Sequence, residues 1–439
     1  MQSTMFRVSR NSLFSLTKSF TCRSAICGAH SINVSGREID AEQPLTGVRI
    51  LDLTRIVAGP YCTMLLADLG AEVIKIERPG GGDEARKWGP PWVNNSKESC
   101  YFLPVNRNKH SVCIDIKSKA GKEIICDLAK EADVLIENYV PGKLSGMGLG
   151  YEDLKAIAPK LIYCSISGYG SEGPYKNMPG YDVIAASRGG LLHITGPENG
   201  EPSKVGVAMT DLATGLYAHG AIMAALLHRS KDGKGQKIDV NLLSTQLACL
   251  INVGSNYLNG HREGKRWGTA HESIVPYQSF KTKDGYYTVG TGSDLQFIDF
   301  CKMIGRPELC EMQAYKTNKD RVVNRESLID ILKDVLGTRT NKEWENIFQR
   351  SSFPNGPVNS IGQAFDDPHV RSIGLVKEVD HPTAGKIKLV GPAVKYSKSN
   401  NEIKMPPPVL GQHTNEVLKK VLKFNDAKLK KLRELRVIQ

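Results

Sequence analysis

From Val48 to Ile166 the chain alternates short apolar runs with helical ones, and that alternation limits the possible fold more than any other feature. Val48 to Leu53 predicts a strand, Gly59-Pro60 breaks the chain into a helix reaching Leu69, Gly70 stops that helix, and Glu72 to Glu77 predicts the next strand. The pattern repeats, with Ser111 to Ile116, Asp133 to Glu137 and Leu161 to Ile166 as strands and Ser118 to Lys130 and Tyr151 to Ala158 as helices. Strands joined through helices run parallel, and a parallel sheet buries both faces. The expectation is a doubly wound α/β domain with a parallel sheet.

Ligands of such sheets bind beyond the carboxyl ends of the strands. The loops there read Thr54-Arg-Ile-Val-Ala-Gly-Pro60, Arg78-Pro-Gly-Gly-Gly-Asp83, Lys117-Ser118, Asn138-Tyr-Val-Pro-Gly142 and Ser167-Gly-Tyr-Gly170. None is G-x-G-x-x-G, and Gly146-Met-Gly-Leu-Gly150 follows a loop with the wrong spacing, which argues against a dinucleotide cofactor. Ala58, Gly59 and Pro60 start a helix, a position that favours an anionic phosphate.

Further on, Gly206-Val-Ala-Met-Thr-Asp-Leu-Ala-Thr-Gly215 carries one carboxylate, Asp211, at the start of a small-residue helix reaching about Arg229. Neither a metal-ligand pattern nor a catalytic His accompanies it. The positive end of the helix dipole is expected to keep Asp211 ionised, which makes it either a nucleophile or an N-cap. Gly215, Ala218, Gly220, Ala221 and Ala224 permit close approach of another backbone. Beyond Ser244 the texture changes to a hairpin at Lys281-Thr-Lys-Asp-Gly285 followed by short helices, which predicts a smaller α+β domain. The expected organisation is 44–235 as a large α/β domain, 236–335 as a small inserted domain, and 336–439 as a return to the large one.

The net charge of +12 suggests nucleic acid only until it is located. Arg7, Arg10, Lys18, Arg23 and Arg37 precede the first acid, Glu38, among interleaved serines, so residues 1–38 read as a mitochondrial (matrix) targeting segment. After Val417, eight basic residues overlie leucines spaced three and four apart, which predicts an amphipathic docking helix broken by a new N-cap at Asn425-Asp426. With both ends set aside, phosphate-backbone binding loses its support. No run approaches the ~18 apolar residues of a membrane span. The ten cysteines form no C-x-x-C pair and read as reduced thiols, with no metal site.

Taken together, Pro44-Leu-Thr-Gly-Val-Arg-Ile-Leu-Asp-Leu53, Ala58-Gly-Pro60, Leu69-Gly-Ala-Glu-Val-Ile-Lys-Ile-Glu-Arg-Pro79, Asn106-Arg-Asn-Lys109, Glu137-Asn138, Pro179-Gly-Tyr-Asp182, Asp211, Gly235-Gln236 and Gly411-Gln-His-Thr414 resemble the class III CoA-transferase family. The resemblance implies that family's fold, in which each subunit forms an open ring and two rings interlock as a homodimer. It implies an enzyme with no permanently bound cofactor, acting on coenzyme A as an acyl-CoA substrate and on a dicarboxylic acid. The most similar branch uses succinyl-CoA as donor and an acid such as glutarate as acceptor. Asp211 matches the family nucleophile, which passes through an aspartyl anhydride and an aspartyl-CoA thioester. The family's CoA contacts fall on Val57, Ala58, Arg78, Ile114, Asp115, Ile116, Lys117, Asn138, Tyr139 and Met147, while a basic residue near Met147 is replaced by Gly146. Arg107 is the choice for the acceptor's distal carboxylate, and Tyr181 is placed at the substrate.

Two other readings are carried. An α-methylacyl-CoA racemase-like isomerase shares this fold but needs an acid/base His, and the His of its Gly-His-Asp motif is Tyr181 here. A non-catalytic CoA-binding protein is the other, and retention of Asp211 argues against it.

Overall fold

A computed structural model describes residues 43–94 and 96–439. The expected targeting segment, 1–38, lies outside the described residues. Six strands form one sheet: β1 (Arg49–Asp52), β2 (Glu72–Glu77), β3 (Lys109–Cys113), β4 (Val134–Glu137), β5 (Ile162–Ser167) and β6 (Lys237–Asn241). Their spatial order is 3-2-1-4-5-6 and all pairs are parallel.

Alternation along the strands sends side chains to two cores. Leu51, Ile74, Val112 and Leu135 face one side, where they meet α2 (Lys119–Lys130) and α3 (Tyr151–Ile157). Ile50, Val73, Val134, Ile136 and Ile162 face the other, against Cys62 and Leu66 of α1 (Ala58–Asp68). Covering both faces is what a parallel sheet with apolar strands requires. The chain then makes two short helices, α4 (Asp182–Arg188) and α5 (Leu191–Ile194), before the long α6 (Met209–Asp232), whose Ala218, Ile222 and Ala225 join the core of α1. A Cβ added at Gly215 would sit 2.7 Å from the carbonyl oxygen of Ala58, so α6 lies backbone to backbone on the start of α1. Gly220 has open space instead.

The last two helices confirm the docking prediction. Thr414–Leu422 and Asp426–Glu434 are separate, and Asn425 Oδ1 accepts from the N–H of Lys428 at 2.9 Å as the new N-cap. Leu418, Leu429 and Leu432 are buried against the sheet while the lysines face solvent.

A further apolar core gathers Val275, Phe280, Phe297, Phe300, Leu332 and Trp344 around the antiparallel strands Tyr277–Lys281, Tyr286–Gly290 and Asn355–Pro357. Two expected boundaries therefore move. Strand β6 lies after residue 235 yet completes the large sheet, because the chain leaving α6 returns beside β5. The helix Asn341–Phe348 and Phe353 lie after 335 yet fill this further core around the antiparallel strands.

Candidate active site

In a sheet of order 3-2-1-4-5-6 the connections diverge between β1 and β4, leaving a crevice at their carboxyl ends. A cavity of about 390 Å³ occupies that place. Its walls include Arg55 to Ala58 after β1, Asn138 to Pro141 after β4, Ser167 and Gly168 after β5, Tyr181 and Asp211. Gly168 and Gly180 meet there so closely that a Cβ on Gly168 would lie 2.8 Å from the Gly180 Cα, which only side-chain-free residues permit.

The N-cap of α6 is Ala208, with no side-chain cap bond, so Asp211 is not a cap. That duty falls to Asp182, whose Oδ1 accepts from the backbone N–H groups of Thr210 (2.8 Å) and Asp211 (3.1 Å). The expectation of a fully ionised Asp211 is corrected by the same geometry. Burial, reinforced by the like charge of Asp182, pushes the Asp211 carboxyl up to about 7. The helix dipole is outweighed because its free N–H groups already serve another carboxylate.

A second cavity, of about 420 Å³, adjoins the first through the shared walls Arg55, Glu84 and Tyr139. Arg78 follows β2, Asp115, Ile116 and Lys117 follow β3, and Lys143, Met147 and Arg436 complete it. Of the expected CoA contacts, Val57, Ala58, Asn138 and Tyr139 line the first cavity, and Arg78, Asp115, Ile116, Lys117, Tyr139 and Met147 line the second. Ile114 lines neither; its side chain is buried in the core. The Asn138 amide is also engaged: Oδ1 accepts from the Arg55 N–H at 3.0 Å and Nδ2 donates to the Arg55 carbonyl at 2.8 Å, tying the loops after β1 and β4 together.

Ile56, between these loops, holds φ +74, a costly conformation for a β-branched residue. Its N–H donates to both oxygens of Asp83 at 3.0 and 3.2 Å, and Asp83 forms a buried ion pair with Lys75 at 3.0 Å. A buried charge pair thus fixes the strained turn at the cavity mouth.

Arg107 is not at the site. It is buried and forks onto Asp68 through Nε (2.9 Å) and Nη2 (2.6 Å), with Nη1 donating to the Val390 carbonyl. A bidentate buried pair leaves no guanidinium edge for an acceptor acid. Its neighbours are structural too: Lys109 donates to Asp52, Pro60 and Asn106 inside the core. The residues that sequence reasoning missed are Arg55, Glu84, Asp182, Lys143 and Arg436. Arg55 and Asp182 stood within motifs quoted for other reasons, Arg436 was counted with the basic face of the C-terminal docking helix, and Lys143 carried no local signal.

The fold and the crevice define a family. Residues 45–414 match the model for CoA-transferase family III, and the chain belongs to that family of CoA-transferases. It is 56% identical over 395 residues to succinyl-CoA:glutarate CoA-transferase of Mus musculus, covering 90% of each chain. To the protein of that name from Homo sapiens it is 57% identical over 384 residues, covering 88% of this chain and 87% of that one. The crystal structure of a CAIB/BAIF family protein from Brucella suis superposes with a TM-score of 0.78 at 37% identity, covering 87% of this chain and all of that one (100%).

Proposed function

We propose that this enzyme moves CoA reversibly from succinyl-CoA to a dicarboxylate such as glutarate, with Asp211 as the covalent carrier. The observation that carries the reading is the Asp211 carboxylate on the wall of the switch-point cavity, beside a second cavity lined by Arg78, Lys117, Lys143 and Arg436. The names of the relatives support the choice of acids.

Ionised Asp211 attacks the thioester carbon of succinyl-CoA; the C–S bond breaks and CoA thiolate leaves, giving an aspartyl-succinyl anhydride. The thiolate then attacks the Asp211 carbonyl, releasing succinate and forming an aspartyl-CoA thioester. The acceptor carboxylate attacks that thioester, and the returning thiolate attacks the acceptor side of the new anhydride, restoring Asp211. Every attacking group is an anion, so no general base is required. No histidine lines the Asp211 cavity among the described residues, and Tyr181 stands where the racemase reading needs one. Acylation removes the Asp211 charge beside Asp182, so each covalent state relieves the repulsion that raises the resting carboxyl. The anhydride is shielded by the cavity walls.

Arg55 takes the place expected of Arg107. It lines the Asp211 cavity, and its Nε is buried without a partner, a donor suited to the distal carboxylate. Tyr181 is 60% exposed and lines the same cavity, and the reading puts its ring against the acyl chain. Matrix import by residues 1–38 and assembly as an interlocked homodimer complete the proposal. A coupled assay with succinyl-CoA and four- to six-carbon dicarboxylates tests it: five-carbon glutarate is expected to be the best acceptor, and no exchange with any of them rejects the reading. Arg55→Lys should raise KM for the dicarboxylate more than KM for succinyl-CoA.

A further inference from the structure

Residues 436–439 reach the second cavity, with Arg436 on its wall. After Asp426–Glu434 the backbone turns at Arg436, which holds φ +57, a left-handed conformation that L residues rarely adopt. Three contacts hold the turn. The Asp115 N–H donates to the Val437 carbonyl at 2.8 Å, Ile438 pairs with Ile114 as an antiparallel bridge, and Gln439 Oε1 accepts from the Gly80 N–H at 2.6 Å. Val437 and Ile438 are buried in the core, so the tail is built into the fold. These anchors lie on the loops after β2 and β3, which carry Arg78 and Lys117, and they bring Arg436 onto the same cavity.

The electrostatics of that cavity are one-sided. Glu77 is paired with Arg86 and Ser111, Asp83 with Lys75, and Glu84 with Arg55 through Oε1, while Glu84 Oε2 is buried without a partner. Among the described residues, Arg78, Lys117, Lys143 and Arg436 enter no ion pair. Asp115 is the one remaining acid, and its Oδ1 accepts from the Lys117 N–H. Gly146 does not line the cavity, and the cation that its loop supplies is Lys143.

We propose that Arg436 binds a phosphate of the nucleotide half of CoA, adding a cation from residues 436–439 to those of Arg78, Lys117 and Lys143 on the same cavity. The residue lies beyond the family match, which ends at 414. The inference rests on the CoA-transfer reading above. A guanidinium matches phosphate geometry bidentately, and the anchored left-handed turn holds it in position before the ligand arrives.

Arg436→Gly tests the side chain, because Gly accepts a positive φ without strain and leaves the anchors of Val437 to Gln439 in place. Calorimetry with CoA and kinetics with succinyl-CoA are expected to show about tenfold weaker CoA binding and a matching rise in KM for succinyl-CoA, the worth of one charge-assisted hydrogen bond. The dicarboxylate KM and kcat should stay unchanged, and Arg436→Lys should recover part of the loss. Titration with 3′-dephospho-CoA locates the phosphate: a loss confined to full CoA assigns the 3′-phosphate, and an equal loss with both assigns the diphosphate. CoA binding by Arg436→Gly equal to wild type overturns the proposal while leaving the transfer reading intact. Failure of the wild-type protein to bind CoA overturns both.

Discussion

Asp211 and Asp182 divide the work of one helix end. Asp182 occupies the free N–H groups of α6, and its charge, added to burial, keeps the Asp211 carboxyl near pH 7. The facing groups from other elements are Tyr101, whose phenol is raised by burial and by both carboxylates, and Arg55, Glu84 and Tyr181 on the cavity wall. Asp182→Asn keeps an oxygen for the two N–H groups but removes the charge. The acid limb of the kcat/KM profile, set near pH 7 by Asp211, should therefore move to lower pH in that variant, as measured from pH 5 to 9. The stability sign follows from a folded value above the unfolded one: ionising Asp211 costs stability, and that cost is absent below the ordinary Asp value near 3.8 and complete above about 7. Asp211→Asn is thus expected to melt at a higher temperature than wild type at pH 8, with the difference closing toward pH 4, while losing exchange activity by several orders of magnitude. Arg107 belongs to the same scale. Arg107→Ala strands a buried Asp68 carboxylate and should cost about 3–5 kcal/mol by denaturant titration. The KM for the dicarboxylate in whatever fraction stays folded should not change.

At the scale of elements, the sheet was legible because each strand and each helix carries its own period. Every strand expected between Val48 and Ile166 is present, apart from shifts of a residue or a few at the ends. The docking pair at the C-terminus was legible for the same reason, since leucine spacing and an Asn-Asp cap are local signals. What sequence could not show is which distant element answers each polar group. Arg107 sits in a motif that reads as functional, and its partner Asp68 closes α1, far back in the chain. The positions of β6 and of Asn341–Phe348 likewise depended on long-range pairing and not on composition. The contact of α6 with α1 gives the sharpest test at this scale. Gly215→Val forces a side chain against the Ala58 carbonyl and tilts the helix that carries Asp211. A large loss of kcat with a smaller change in CoA affinity is the expected result, read by kinetics and calorimetry.

For the whole molecule, large apolar side chains stay uncovered in a single copy. Ile251 is 74% exposed, Leu258 73% and Leu227 65%, all on or near the helices that follow Asp211. Such a surface is what a homodimer would cover, in keeping with the proposed interlocked assembly. Sedimentation should give the mass of two chains, and replacing Ile251 and Leu258 together by Glu should reduce both dimer content and exchange activity. A fully active monomer would remove assembly from the account. The two adjoining cavities at the switch point, one holding Asp211 and the other the cations, are the part of the molecule on which the chemistry rests.

That chemistry predicts an acyl group on one oxygen. Hydroxylamine added during turnover with succinyl-CoA, followed by digestion and mass spectrometry, should find a hydroxamate on the peptide carrying Asp211 and none when succinyl-CoA is omitted. Continued exchange with the adduct on another residue, or with no adduct at all, would contradict the assignment of Asp211 as the carrier.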